Sequence, residues 1–168
     1  MVVMGSGGHT TEMLRITKHL NKERYTPRVY IVSSTDTTTI SRVLAGEDSS
    51  GTYTICKIPR SREVKQSYLT SIFTTALSTV SSFPVVLWHR PQLVLCNGPG
   101  VCIPICAVVF LAKALFLIDA RIVFVESLCR VKSFSLTGKI LMFFADKILV
   151  QWPDLCKVSK RADYIGRL

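Results

Sequence analysis

A glycine-rich stretch that carries a histidine stands near the start of the chain: Gly5-Ser6-Gly7-Gly8-His9-Thr10. It lies between a short apolar strand candidate and a helical pattern. At such a junction backbone N–H groups converge, the helix dipole favours negative charge, and glycines let an anion come close. The stretch therefore predicts a phosphate-binding turn, with Thr10 or Thr11 as the cap of the helix.

His9 adds a titratable group to this turn. Imidazole exchanges protons near neutral pH, so His9 could be a general base that takes a proton from a hydroxyl, or it could only orient the loop. The turn could also be a dinucleotide fingerprint with Asp36 as the ribose-binding acid. That interpretation is weak, because Thr10 stands where GxGxxG has its last glycine.

Two further stretches follow apolar strand candidates, Asn97-Gly98-Pro99-Gly100 and Glu126-Ser127. Parallel strands expose their carboxyl ends on one side, so we expect both stretches on the same edge as the glycine turn. Asn97 could bond a sugar hydroxyl while Gly98 and Gly100 let the backbone come close to a ligand. The same turn could equally just start a helix.

Glu126 ends an apolar strand candidate. An ionised carboxylate there must be hydrated, paired or bound to a ligand. Glu126 is therefore a candidate catalytic residue, and Arg130 is the structural partner that the alternative interpretation gives it.

Arg60 and Arg62 belong to a basic loop after the third strand candidate, which should open on the same edge. Their guanidinium groups can grip diphosphate oxygens with forked hydrogen bonds. They could instead meet lipid head groups.

Short apolar strand candidates alternate with helical patterns along the whole chain. This order predicts an α/β fold, a Rossmann-like three-layer α/β/α domain with a mostly parallel sheet over residues 1–168. Strands are predicted at residues 2–4, 28–32, 52–58, 93–96, 122–125, 147–150 and 164–165, and helices at residues 10–20, 38–45, 101–118 and 135–145. Residues 68–88 are predicted as one long helix or as two with a break at Pro84.

The charge balance is strongly basic, with 21 Lys and Arg against 11 Asp and Glu and a formal net charge of +10. Such an excess favours an anionic membrane surface or a phosphorylated substrate, and no motif for nucleic acid is present. The six cysteines form no CxxC pair and no zinc spacing,. We therefore expect no metal, no cofactor and a reducing environment.

Residues 101–118 carry one charge in 18 residues, the lower limit for a transmembrane helix,. We expect a buried helix, because spanning a bilayer there would break the sheet. Part of this helix, or of residues 69–87, could instead dip into the membrane interface. No signal peptide is expected, and the short first strand fits an element that begins upstream.

The motifs GSGGHT, PRSREV, LVLCNGPG, VESLCRV, QWP and GRL follow one another along the chain. Together they resemble the membrane-anchoring subunit of the eukaryotic UDP-N-acetylglucosamine transferase that assembles dolichol-linked oligosaccharides, over nearly the whole chain. The GGH triplet is shared with the wider bacterial family that makes the peptidoglycan lipid precursor.

The resemblance implies the N-terminal, acceptor-side half of a GT-B glycosyltransferase, inactive alone, whose soluble donor-binding catalytic partner is a separate chain. The implied reaction transfers N-acetylglucosamine from UDP to GlcNAc-diphospho-dolichol at the cytosolic face of the endoplasmic reticulum membrane. A purely recruiting scaffold without catalytic groups is the alternative. Family members carry an N-terminal transmembrane helix, which this sequence does not show.

The resemblance also implies roles for particular residues. His9 and Glu126 would be catalytic, while the glycine turn and residues 97–100 would form the two acceptor loops. The tail over residues 157–168 would bind the partner through its last six residues, Asp163, Tyr164, Ile165, Gly166, Arg167 and Leu168.

Overall fold

One parallel sheet forms the centre of the protein. The computed structural model describes residues 1–47, 52–61, 66–98 and 100–167. Seven strands lie in the order β3-β2-β1-β4-β5-β6-β7, and each described pair is parallel. The strands are β1 Val2–Val3, β2 Arg28–Ser33, β3 Tyr53–Ile58, β4 Leu93–Asn97, β5 Arg121–Val125, β6 Lys147–Val150 and β7 Ala162–Tyr164.

Six helices cover both faces of the sheet: α1 Gly8–Lys18, α2 Thr37–Gly46, α3 Tyr68–His89, α4 Cys102–Ala114, α5 Leu136–Leu141 and α6 Asp154–Val158. Alternate residues of β2 enter two separate apolar cores, as the period of two in a strand requires. Val29 and Ile31 pack with α3 to α6, whereas Tyr30 and Val32 pack with α1 and α2. The predicted three-layer α/β/α fold is confirmed.

The chain changes direction across the sheet between β1 and β4. Strands β2 and β3 lie on one side of β1. Strand β4 lies on the other side, where Val3 pairs with Cys96. Open α/β sheets bind ligands at the carboxyl ends of the strands beside such a switch point. The loops that follow β1, β4 and β5 therefore open at this edge.

Several element bounds differ from the predicted ones. The α4 helix ends at Ala114, because Phe116 takes a left-handed conformation with φ 56°. The α5 helix ends at Leu141, where the chain continues in a tighter turn, with Phe143 and Phe144 bonding three residues back. The α6 helix was not predicted, and β7 begins at Ala162 instead of residue 164.

The α3 helix runs through Pro84 without a break, so the prediction of one long helix is right and that of two is wrong. Packing holds it in place, because Val86 is fully buried in the core and Ser78 donates a hydrogen bond to the carbonyl of Pro59. The α4 helix is buried at seven of its 13 residues, as expected, whereas Phe110 and Leu111 near its end are exposed.

A long apolar stripe on α3 faces away from the core. Its members recur at helical spacing: Leu69, Ile72, Phe73, Leu77, Val80, Leu87 and Trp88. In the described part of the chain, residues 69–89 form one helix that is long and apolar enough, by length and composition, to cross a membrane. Of the 18-residue apolar stretch within it, 22% is buried. The helix is thus anchored along one side and open along the other.

Candidate active site

Three loops meet in one cleft at the carboxyl edge of the sheet. The cleft has a volume of about 260 Å³. Its walls come from the glycine turn and the start of α1, from the turn after β4, and from the chain between β5 and α5: Gly8, His9, Glu12, Gly98, Glu126, Ser127, Cys129, Arg130 and Ser135. The structure therefore brings together the three stretches that the sequence placed on one edge.

The glycine turn forms without a side-chain cap. The α1 helix begins at Gly8, and Gly7 precedes it with φ 63° and ψ −123°, a conformation that suits glycine,. The expectation that Thr10 or Thr11 caps the helix is wrong, because both residues lie inside it. Gly5 is buried, while Ser6, Gly7 and Gly8 are exposed, with open space beside the two helix-starting glycines.

Thr10 shapes this turn from the inside. Its side chain is buried, and its hydroxyl donates to the carbonyl oxygen of Gly5 at 2.6 Å and lies 2.9 Å from the hydroxyl of Thr39. Contact of Thr10 with an acceptor stays a prediction.

Asp36 holds the start of α2. Its carboxylate accepts from the backbone N–H of Thr39 at 3.0 Å and from the Thr39 hydroxyl at 2.7 Å. That same hydroxyl lies 3.2 Å from the carbonyl of Gly5, so α2 is tied to the glycine turn. Asp36 therefore serves as a helix cap, which leaves the dinucleotide interpretation without its ribose-binding acid.

His9 packs directly on Gly98. A Cβ at Gly98 would lie 2.3 Å from Cε1 of the imidazole, and the backbone there has φ 63°. Glycine is thus needed for both the conformation and the close approach of the ring. The imidazole is partly exposed at the wall of the cleft, and its Nδ1 lies 3.6 Å from Oε2 of Glu12.

Asn97 is fully buried behind this ring. Its Nδ2 donates to Oε2 of Glu12 at 2.7 Å, whereas its Oδ1 has no hydrogen-bond partner among the described residues. Its backbone oxygen accepts from the thiol of Cys102, and burial raises the pKa of that thiol, which stays neutral. The predicted bond from Asn97 to a sugar hydroxyl stays a prediction, and Oδ1 is an acceptor that the described residues leave unused.

Glu126 is completely buried, and its carboxylate is bonded to the chain that follows it. Oε1 accepts from the backbone N–H of Ser127 at 3.0 Å, and Oε2 accepts from the N–H and hydroxyl of Ser135 at 2.9 and 3.0 Å. Arg130, the partner that the structural interpretation proposed, is exposed; the bonded partner is Ser135, because the start of α5 aims its donors at the carboxylate. Glu126 thereby fixes one wall of the cleft, and its catalytic role stays a prediction.

Glu12 is a residue of the cleft that the sequence motifs did not predict. Its carboxylate lies between Asn97, Ser127 and Leu128, accepting at 2.7, 2.9 and 3.2 Å. The sequence held one signal for it: Glu12 stands three residues after His9, so both face the same side of α1.

The basic loop lies beside the second acceptor loop. The carbonyl of Ser61 accepts from the hydroxyl of Thr74 at 2.6 Å, and a Cβ at Gly100 would lie 3.4 Å from the Ser61 hydroxyl. Arg60 is partly exposed there, whereas Arg62 lies outside the described residues. The diphosphate-binding role of both arginines stays a prediction.

The tail runs along the sheet edge next to β6. Ile165 bonds to the carbonyl of Val150, and the Arg167 guanidinium stacks over the Trp152 ring at 4.2 Å. Asp163 pairs with Lys147 at 2.9 Å, and Tyr164 and Ile165 are exposed. Leu168 lies outside the described residues, and the role of residues 163–168 in binding a partner stays a prediction.

Known proteins match the chain over its whole length. The family model described as "Oligosaccharide biosynthesis protein Alg14 like" matches residues 1–168. The UDP-N-acetylglucosamine transferase subunit alg14 of Schizosaccharomyces pombe is 48% identical, covering 99% of this chain and 81% of the relative. The subunit ALG14 of Homo sapiens is 44% identical, covering 100% of this chain and 82% of the relative.

A solved structure has the same fold. MurG of Acinetobacter baumannii superposes with a TM-score of 0.67 at 18% identity. The match covers 99% of this chain and 44% of the MurG chain, so this chain corresponds to less than half of MurG.

Replacement of Gly138 by alanine tests the buried clamp around Glu126. A Cβ there would lie 2.4 Å from Oε2 of Glu126, whereas a Cβ at Gly46 in α2 would make an ordinary 3.7 Å contact with Leu14. We expect Gly138→Ala to lower the free energy of unfolding by about 2 kcal/mol, because the carboxylate must leave Ser135. Gly46→Ala should leave it unchanged or raise it by up to about 1 kcal/mol. Urea unfolding followed by circular dichroism measures both, and equal stabilities of the two variants would contradict the clamp.

Proposed function

We propose that this chain, which belongs to the family of Alg14-like oligosaccharide biosynthesis proteins, is the acceptor-binding, membrane-recruiting subunit of a two-subunit UDP-N-acetylglucosamine transferase. The observation that carries the proposal is the cleft in which the glycine turn, the Asn97 turn and the Glu126 loop meet. The family resemblance predicted from the motifs is confirmed by the relatives, whose names describe a transferase subunit.

The second subunit would supply the donor side of the enzyme. MurG is a single chain of which this fold spans 44%, and the relatives' names speak of a subunit. A GT-B active site lies between two such halves, so a separate soluble chain would bind UDP-N-acetylglucosamine and close over the cleft. We therefore expect the chain to be inactive without that partner.

The proposed acceptor is a dolichol-linked N-acetylglucosamine diphosphate at the cytosolic face of the endoplasmic reticulum. Its diphosphate would lie against the exposed backbone of Ser6, Gly7 and Gly8, where the unpaired N–H groups and dipole of α1 favour negative charge,. The basic loop at Arg60 and Arg62 would add positive charge. No metal or cofactor belongs to this proposal.

His9 would perform the proton transfer. Its Nε2 would take the proton from an acceptor hydroxyl, whose oxygen then attacks the anomeric carbon of the donor sugar as UDP leaves. The partly exposed position of the ring at the wall of the cleft supports this role. Glu126 would contribute by holding the wall of the cleft, because both of its carboxylate oxygens accept hydrogen bonds, from Ser127 and from Ser135.

A recruiting scaffold is the second candidate function. The observation that favours it is the complete burial of Glu126, which leaves His9 as the one member of the predicted catalytic pair with a partly exposed side chain. In that case every catalytic group would belong to the partner, and the cleft would only hold the acceptor.

Replacement of His9 by alanine separates the two functions. In the complex with the partner subunit, we expect His9→Ala to lower turnover by about 100-fold or more, because general base catalysis contributes on that scale. His19→Ala, at an exposed residue at the end of α1, is the matched control. Transfer of labelled N-acetylglucosamine to a short-chain lipid acceptor measures turnover, and co-purification measures pairing. Unchanged turnover of the His9 variant would favour the scaffold, and turnover by the chain alone would contradict its dependence on the partner.

The apolar stripe of α3 is the proposed membrane surface. The helix begins at the same carboxyl edge of the sheet as the cleft, because it follows the carboxyl end of β3, and Leu69, Ile72 and Phe73 are exposed there. The exposed side chains Phe110, Leu111, Leu115, Phe116 and Leu117 at the end of α4 add to the apolar surface. Exposed apolar surface of this extent marks an interaction site.

We propose that α3 lies in the plane of the membrane interface. Its other side is packed on the core through Val86 and tied to Pro59 through Ser78, so crossing the bilayer would require it to leave the sheet. In this orientation a lipid chain could enter the bilayer beside α3 while its diphosphate sugar reaches the cleft.

Vesicle binding tests this surface. We expect the chain to sediment at low salt with vesicles that contain anionic lipid, because the apolar stripe and the net charge of +10 act together,. The double variant Ile72→Asp, Phe73→Asp should remain largely in the supernatant. Leu44→Asp, at an exposed leucine of α2 on the opposite face, should sediment like the unmodified chain. An unmodified chain wholly in the supernatant, or equal binding by the double variant, would contradict the proposal.

A further inference from the structure

Glu12 stands at the point where the three loops of the cleft touch. We infer that Glu12 is a positioning residue: its carboxylate holds the proton of His9 on Nδ1, so that Nε2 faces the acceptor as a free base. This inference rests on the proposed function, since it assigns His9 the role of base.

The carboxylate of Glu12 gathers donors from distant parts of the chain. Oε2 accepts from Nδ2 of Asn97, 85 residues away, at 2.7 Å. Oε1 accepts from the hydroxyl of Ser127 at 2.9 Å and from the N–H of Leu128 at 3.2 Å, 115 and 116 residues away. The side chain of Glu12 is 17% exposed, and both of its carboxylate oxygens accept hydrogen bonds from the two loops.

The imidazole of His9 turns its Nδ1 toward this carboxylate. Nδ1 has no hydrogen-bond partner among the described residues, and Oε2 of Glu12 lies 3.6 Å from it. A movement of roughly half an ångström brings the two atoms within hydrogen-bond distance. A Cβ at Gly98 would lie 2.3, 2.5 and 3.0 Å from Cε1, Nδ1 and Nε2, so the backbone of Gly98 packs against this edge of the ring and limits its orientation.

The hydrogen bond made by one ring nitrogen decides which tautomer a histidine adopts. A carboxylate oxygen can only accept, so the nitrogen that faces it must carry the proton. Nε2 then keeps its lone pair on the side away from Glu12. Without the carboxylate, nothing among the described contacts of His9 selects this tautomer.

The isosteric change Glu12→Gln weakens this selection. An amide has one oxygen and one NH₂ group, so it cannot accept on both sides at once. The NH₂ group of the glutamine must therefore point either toward Asn97 and His9 or toward Ser127 and Leu128. Glu23→Gln, at an exposed residue between α1 and β2, removes the same charge elsewhere and is the control.

Nitrogen-15 NMR of the full-length chain in detergent reads the tautomer directly. With the His9 signals assigned by their loss in His9→Gln, we expect the neutral ring to carry its proton on Nδ1 in the unmodified chain and in Glu23→Gln. In Glu12→Gln the signals should move toward the tautomer protonated on Nε2. A proton on Nε2 in the unmodified chain would overturn the inference, and this result does not require the variant to fold.

Turnover of the complex with the partner subunit gives the second measurement. We expect Glu12→Gln to lower kcat by about 10- to 100-fold, since a misplaced catalytic group costs rate on this scale. The KM for the lipid acceptor should rise by a smaller factor than kcat falls, because the glycine turn that is proposed to hold the diphosphate is unaltered, although the amide loses part of the contacts of Glu12 with Asn97, Ser127 and Leu128,. An unchanged kcat, or an increase in KM alone, would overturn the positioning role. If the unmodified complex has no transferase activity, the proposed function is refuted, but the result on the tautomer of His9 still holds.

Discussion

The contact of the Glu12 carboxylate with Asn97, Ser127 and Leu128 is the interaction on which the site depends. Parallel strands bring the ends of β1, β4 and β5 to one edge, but strand order alone does not fix the loops that follow. Glu12 joins these loops through one charged group, and hydrogen bonds to a charged acceptor are about twice as strong as neutral ones. Two further clamps support it: Asp36 with Thr39 beneath the glycine turn, and Glu126 with Ser135 along the opposite wall.

The fold and the site surface differ in how far the sequence could predict them. Apolar runs and their spacing located the strands β1 to β6, and parallel pairing then placed the glycine turn, Asn97 and Glu126 on one edge. The partners of individual side chains could not be predicted, because the bonds of Glu12 and Glu126 join residues whose proximity depends on loop conformation. For the same reason Arg130 was a plausible partner of Glu126, although Ser135 at the start of α5 supplies the donors.

The tail and the cleft are connected through a short series of contacts. Arg167 stacks on Trp152, whose indole N–H donates to the carbonyl of Leu128 at 2.7 Å, and the N–H of Leu128 bonds to Glu12. The proposed partner surface therefore borders the proposed active site, while the apolar stripe of α3 lies on the face of the sheet shared with α4. A membrane beneath α3 and a partner beside the tail would thus approach the cleft from separate directions.

The central claim is that the three loops form one binding site for a diphosphate sugar. Amide chemical-shift mapping of the full-length chain with a short-chain N-acetylglucosamine diphosphate lipid tests it most directly. The account predicts that the shifts concentrate in residues 5–12, 97–101 and 126–135. Shifts concentrated at the opposite edge of the sheet, around Arg24, His89 and Arg90 where a second cavity of about 350 Å³ lies, would contradict it.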